Sequence, residues 1–409
     1  MQNSNTRNKR PQNNNGKRRP SPKRRPQTSE GRRRAAKIRR EKELRRKKKA
    51  LLIAILVVIC VVLVLVLVNA KNNNQGQGTA TEEVTESETS TEAASDSEYA
   101  SLGVNEMGQI PVMMYHGIEN VSSDSTGHTG GNVDADGYNR TCEAFRADLE
   151  MYYEKGYRMI RLIDYVNGEI NVEKGKSPIV ITFDDGRENQ CKVTGLDENG
   201  DIIIDPNCGV GILEDFKAAH PDMNVTATFF VNGSLFQQSE YNEQILKWLV
   251  NHGYDIGNHT YDHINLSTCT TDEVPYEVGA DYEQLESIIP GQYVNIIALP
   301  FGSGAEEGSV TRPLIYSTDY NGKTYETVAA MMVGWTSEYS PFDLKYDKTL
   351  MKRCRAYDNN GQDFDISYMF DSFLPGYRYV SDGNPDTIVI PEAETANMGN
   401  TYDKTVITY

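Results

Sequence analysis

The run Pro178-Ile179-Val180-Ile181-Thr182-Phe183-Asp184-Asp185-Gly186 decides the fold. Its first six residues are apolar or β-branched without polar alternation, the pattern of a strand buried on both faces, and such strands belong to parallel sheets covered by helices. It stops abruptly at two adjacent carboxylates. In a βα barrel, residues just past the C-terminal end of a strand face the catalytic mouth. Asp184 and Asp185 are therefore placed to divide labour, one ligating a metal while its neighbour acts as a base. Taken alone, the same residues also fit a capped strand-to-loop turn in which Gly186 supplies a positive φ.

A second stretch bears on that choice. Ile256-Gly257-Asn258-His259-Thr260-Tyr261-Asp262-His263 holds two of the chain's six histidines, four residues apart. On a helical turn this spacing brings both imidazoles to one side, where they can share one metal ion. An exposed turn with unremarked histidines satisfies the spacing equally well. Combined with the paired aspartates, the two stretches favour a metal site.

Outward from these stretches the chain alternates between strand and helix patterns. Ile110-Pro111-Val112-Met113-Met114-Tyr115-His116 reads as a short strand whose polar tip, His116, sits where a catalytic residue can sit, although a packed imidazole is the alternative. Thr141 caps an expected helix closed by Gly156, and a strand follows over 157–162. Further helices are expected near 211–219, 244–252, 272–289 and 344–355, with strands over 225–231, 254–257, 295–300, 329–334 and 387–390. The alternation predicts an α/β fold, a parallel βα barrel rather than an antiparallel sandwich. Asn199-Gly200 between extended runs predicts a β-hairpin over 196–205, inserted beside the barrel mouth.

The net charge of -16 hides two opposite halves. Residues 1–50 hold 21 of the 42 lysines and arginines and only three acids, Glu30, Glu41 and Glu43, so the remainder is strongly acidic. An unbroken apolar run from Leu51 to Val68 follows, long enough to cross a bilayer and preceded by Lys47-Lys48-Lys49. The domains expected are a disordered basic tail (1–50), a transmembrane helix (51–70), an acidic low-complexity linker that stays extended (71–107) and an outer domain (108–409). The excess of positive charge before the span places the tail in the cytoplasm and the outer domain outside the cell. Basic blocks of this kind also bind nucleic acid, but topology and anionic lipid are the simpler account, and no nucleic-acid partner is expected. Beyond the membrane run the cysteines are Cys142, Cys191, Cys208, Cys269 and Cys354, an odd number at irregular spacing that argues against a disulfide framework. Cys191 and Cys208 flank the inserted hairpin and are the one pair worth testing.

Thr182-Phe183-Asp184-Asp185, His259-Thr260-Tyr261-Asp262-His263 and Leu299-Pro300-Phe301-Gly302, in that order, resemble the polysaccharide deacetylases of carbohydrate esterase family 4, the NodB-homology domain. Pro111 to His116 and Ala227 to Val231 are similar to that family too, and the resemblance covers roughly 108–340. It implies a distorted (β/α) barrel with fewer than eight complete strands. It also implies a divalent metal, usually zinc, on Asp185, His259 and His263, with Asp184 as general base. Pro300, Phe301 and Trp335 would then contact substrate, although core packing accounts for Trp335 equally. The expected activity is removal of N-acetyl groups from an acetylated amino-sugar polymer of the cell wall or cell surface. Two departures stand out: the family's arginine two residues before the proline is Ala298 here, which removes a cation that would orient and tune Asp184, and no histidine follows His263 to act as the usual late general acid. His116 is the available replacement acid. A weakly active or inactive metal- and glycan-binding protein is the alternative reading.

Overall fold

Seven consecutive buried residues, Ser177–Phe183, form the central strand, and they are the apolar run that the sequence marks as doubly covered. In the computed structural model, which describes residues 89–334, 336–358 and 365–409, this strand belongs to an eight-stranded sheet. Its strands are β1 Val112–Tyr115, β2 Tyr157–Met159, β3 Ser177–Phe183, β4 Thr228–Val231, β5 Asp255–Asn258, β6 Ile296–Ala298, β7 Ala329–Met331 and β8 Cys354–Arg355. They run in the order β7-β6-β5-β4-β3-β1-β8, with β2 paired to the first half of β3. Every pairing is parallel, which requires a crossover between successive strands. Helices α1 Cys142–Glu154, α2 Gly209–Ala219, α3 Asn242–Asn251 and α4 Val274–Ile288 supply four of these crossovers. The expected α/β barrel is thus present.

A single segment closes the sheet on itself. Met351 bridges Met331 of β7, exchanging hydrogen bonds of 2.8 Å with Ala330 and Met332. Three residues later, Cys354 and Arg355 pair with Met113 and Met114 of β1. The stretch 344–355, expected to be helical, therefore holds only the short turn Lys348–Leu350 and then extended chain. Two open strand edges offer unpaired N–H and C=O groups, and satisfying them outweighs the weak intrinsic preference of this segment for a helix.

The apolar faces of strands and helices meet in a core whose centre is aromatic. Phe183 and Phe229 stack at 4.8 Å between ring centroids, and Tyr115 and Phe145 close on Phe183 from the other side. Thr141 accepts a hydrogen bond from the Ala144 amide and so caps α1 as expected, and Gly156 ends the turn that follows with φ +81°.

Other segments depart from expectation in informative ways. The inserted hairpin forms, Val193–Leu196 against Ile202–Ile204, with Gly200 at φ 86° in its turn. A second hairpin, Ser317–Tyr320 with Lys323–Glu326, turns on Asn321-Gly322 at φ 46° and 79°, the same chemistry left unread in the sequence. Thr387–Ile390 pairs only with Thr405–Thr408 and stays outside the barrel. Thr89–Leu102, expected to be extended linker, is a helix, and its Tyr99 ring lies 5.9 Å from Tyr409. The tail, the apolar run 51–68 and most of the linker lie outside the described residues, among which no helix is long and apolar enough to cross a membrane. Cys191 and Cys208 are free thiols, so the pairing considered between them is not formed. Cys208 instead caps α2 by accepting from the Gly211 amide.

Candidate active site and metal centre

At the C-terminal end of β3 the two aspartates part company. Asp185 sits at φ 80°, a left-handed conformation that turns the chain and sends its carboxylate away from that of Asp184. Its Oδ1 lies 3.4 Å from His259 Nε2 and 3.2 Å from His263 Nε2. One ligand atom from each of the three falls within 4.8 Å of the others. The two histidines converge through an irregular loop with Thr260 at φ 59° and His263 at φ 54°, not along a helical turn as the spacing suggested. His259 Nδ1 donates to the carbonyl of Ala298 at 2.7 Å, which fixes the ring's orientation and turns Nε2 towards Asp185. Two imidazoles and one carboxylate with an open side suit a divalent ion. Burial alone would raise the Asp185 pKa, but the hydrogen bonds from His259 and His263 hold it well below the usual carboxylate range. His259 moves the other way: burial lowers it, and the neighbouring Asp184 and Asp185 charges more than reverse that.

Asp184 points into the barrel, where the fully buried Arg353 meets it. Arg353 Nη1 donates to Oδ1 and Nη2 to Oδ2, both at 2.7 Å. Burial would push the Asp184 carboxyl up, and the guanidinium outweighs it, holding the group ionised below its ordinary range. This corrects the expectation that Ala298 leaves Asp184 without a cation. Arg353 lies on the barrel-closing segment between Met351 and Cys354, so the topology brings it to the site. An arginine flanked by Lys352 and Arg355 in a stretch read as helix carries no local signal that it faces inward.

His116, at the mouth end of β1, lines the same cavity, its Nε2 3.9 Å from Asp184 Oδ2. It is 8% exposed, and burial pushes its pKa down to about 4 despite the pull of Asp184. The Tyr138 ring packs edge-on against it at 4.8 Å. Phe301 is 64% exposed at φ 60°, its ring 5.4 Å from that of His263. Pro300, by contrast, is buried in the turn beneath it and does not line the cavity. Trp335 lies outside the described residues.

The cavity over this cluster measures about 460 Å³. One wall was not foreseen: the loop ending in Tyr138 and Asn139, together with Arg187. Asp134 ties that loop by accepting from the amides of Asp136, Tyr138 and Asn139 at 2.9–3.1 Å. Arg187 reaches Asp185 Oδ2 with Nε and Asn139 Oδ1 with Nη1, both at 2.9 Å. Only the Asp-x-Asp-Gly turn chemistry at 134–137 was there to be read.

Residues 215–314, a stretch containing His259, His263 and Phe301, match the family model described as polysaccharide deacetylase. A peptidoglycan-N-acetylglucosamine deacetylase of Bacillus cereus is 26% identical over 168 residues, 39% of this chain and 52% of that protein. The uncharacterized protein YlxY of Bacillus subtilis is 35% identical over 102 residues, 25% of this chain and 31% of its own. The chain thus spans about half the length of the first of these relatives and less of the second. Among solved structures, the Streptococcus pyogenes deacetylase PplD in complex with acetate aligns over 64% of this chain and 98% of its own, at 16% identity and a TM-score of 0.45. The matched region and the deacetylase homologue agree with the residues gathered at the barrel mouth, and over residues 215–314 the chain is similar to the polysaccharide deacetylases.

Proposed function

We propose that this protein is a metal-dependent hydrolase that removes N-acetyl groups from N-acetylhexosamine residues of a cell-wall or surface polysaccharide. The observation that carries the reading is the meeting, in one cavity, of the Asp185, His259 and His263 ligand set with an arginine-clamped Asp184 and with His116. A zinc ion on that set would polarise the acetyl carbonyl and lower the pKa of water.

The protein's own groups then handle the proton. Hydrolysis of the amide needs one proton taken from water as it attacks the carbonyl carbon and one delivered to the nitrogen as the C–N bond breaks, leaving acetic acid and the amine, which part as acetate and ammonium once the acid proton passes to the amine. Asp184, ionised by Arg353, is the acceptor. His116 is 3.9 Å away and neutral at rest, so it can receive that proton and pass it to the nitrogen. An imidazolium whose pKa is depressed by burial surrenders its proton readily. Phe301, exposed beside His263, offers an aromatic face to a sugar ring.

The apolar run from Leu51 to Val68 anchors the enzyme, with residues 1–50 in the cytoplasm and the hydrolase outside, within reach of wall polymer. A weakly active or inactive metal- and glycan-binding protein is the second reading, supported by the lack of any histidine after His263. Its other ground, a missing cation at Asp184, is removed by Arg353. The deciding measurement is acetate release from N-acetylglucosamine oligomers and peptidoglycan fragments, with zinc and after chelation. The zinc-loaded protein should release acetate, and Asp184→Asn should keep its zinc while losing about 10²–10⁴ in rate. Full activity in Asp184→Asn would sink the mechanism, and zinc binding without acetate release from any glycan would favour the second reading.

A further inference from the structure

The loop carrying His259 and His263 has no regular structure of its own; the end of β4 holds one side of it, the His259 amide donating to the Val231 carbonyl at 2.9 Å and the Gly233 amide to the Tyr261 carbonyl at 2.8 Å, and one face of α4 holds the other. Three residues of that helix, Glu277, Val278 and Asp281, grip it. The Glu277 side chain accepts from the Asp262 amide at 3.0 Å, while the Glu277 carbonyl accepts from the Tyr261 amide at 2.8 Å. Val278 accepts through its carbonyl from Asn258 Nδ2 at 2.9 Å, and Asn258 Oδ1 in turn accepts from the Thr260 amide at 2.9 Å. Asp281, one turn beyond Glu277, accepts through Oδ2 from the His259 amide at 3.3 Å.

These carboxyl groups are expensive where they sit. Glu277 is 3% exposed and Asp281 wholly buried; among the described residues neither is in an ion pair with a lysine or arginine, and His259 is the opposite charge that acts on Asp281. Asp281 Oδ1 finds no hydrogen-bond partner. Their neighbours on the helix, Val274, Val278, Tyr282 and Leu285, are the apolar residues that a core-facing stripe normally uses throughout. Burying unpaired acids there lowers stability relative to apolar residues of the same size. What they gain is a fixed course for the loop, which holds Thr260 and His263 in left-handed conformations that non-glycine residues adopt only under constraint.

We infer that Glu277 and Asp281 are positioning residues for the metal centre, fixing through backbone amides the separation and aim of the His259 and His263 imidazoles. The inference rests on the proposed metal reading and deepens it. Neither side chain lines the cavity or belongs to the three-residue ligand set.

Its test measures zinc affinity, by competition with a chromophoric chelator, alongside the thermal midpoint of the metal-free protein. Apolar substitutions of similar size, Glu277→Met and Asp281→Leu, should weaken zinc binding about 10- to 100-fold while leaving the metal-free midpoint unchanged or higher. Glu277→Gln and Asp281→Asn, which keep an acceptor oxygen, should stay within about threefold of wild type. Wild-type affinity in the apolar variants would overturn this inference and leave the metal reading standing. A metal-free midpoint that falls in step with affinity would also overturn it, by showing a general structural role. Should the apolar variants not fold, the conservative pair decides: loss of binding there overturns the inference. His259→Ala serves as the control, and wild type binding zinc no better than that variant would overturn the metal reading and this inference with it.

Discussion

Arg353 donates from both terminal nitrogens to the two carboxylate oxygens of Asp184, each at 2.7 Å, across 169 residues of chain. Both side chains are sealed from solvent, so the pair is neither screened nor replaceable by water. The geometry has two effects. It keeps Asp184 ionised inside a barrel, and it ties the closing segment of the sheet to the central strand.

Removing one partner strands the other. Arg353→Met should destabilise the protein by about 3–5 kcal/mol, because an uncompensated carboxylate remains in the core. The double variant Arg353→Met with Asp184→Leu should recover most of that loss, since an apolar pair needs no ionic compensation. Urea unfolding of the three proteins reads this directly, and a small single-variant effect would show that water reaches Asp184. Arg353→Lys should not restore the wild type, as a point charge cannot donate to both oxygens at once.

His116 predicts an acid-sensitive fold. Its folded pKa of about 4 lies below the ordinary 6.5, so the unfolded chain binds the extra proton first. Stability is therefore full above about pH 6.5 and is lost as pH falls towards 4, by at most about 3 kcal/mol. Asp184 is also depressed, from an ordinary 3.8, and its loss begins only below that pH. Thermal midpoints of the metal-free protein between pH 7 and 4.5, compared with His116→Gln, isolate the histidine: the variant should show the shallower slope.

Glu106 works in the opposite sense. Burial lifts its carboxyl to about 7 from 4.5, against the Val389, Tyr379 and Asp382 donors that hold it down. The folded state here keeps its proton longer than the unfolded chain. The contribution is full below about pH 4.5 and fades as pH rises through 7. Glu106→Gln should flatten the stability profile in that window. Its absolute stability should be lower, because an amide nitrogen would face either the Val389 amide or the donors on Oε1.

Phe301 is held in a left-handed conformation while 64% exposed, a combination that packing does not explain. If its ring receives a sugar, Phe301→Ala should raise KM for an acetylated oligosaccharide severalfold, with kcat little altered. Phe301→Gly should show the same kinetic loss and a gain of about 1 kcal/mol in stability from relief of the backbone. An unchanged KM in both would remove Phe301 from the binding surface.

Much of the barrel was legible because its strands are short apolar runs with strong breakers between them. Residues 178–186, 225–231 and 254–257 reveal themselves by composition, and Thr141 and Gly156 mark the ends of α1 by their capping chemistry. The segment 344–355 misled for a definite reason. Its identity as extended chain comes from two distant strand edges, Ala330 to Met332 and Met113 to Met114, whose backbone groups it pairs with. The helix over Thr89–Leu102 was hidden by a polar composition that local pattern cannot separate from a linker.

At the site, Asp184, Asp185, His259 and His263 could be singled out from sequence because their spacing and their place at strand ends are local properties. Only the tertiary structure decided what surrounds them. Arg353 reaches Asp184 through barrel closure, Ala298 serves His259 with its carbonyl in place of a side chain, and Glu277 and Asp281 hold the histidine loop from a neighbouring helix. Burial, which sets the protonation of His116, is likewise a property of the assembled core. Residue type and spacing determine which groups arrive at a strand end, and long-range packing determines which charges and backbone donors meet them there.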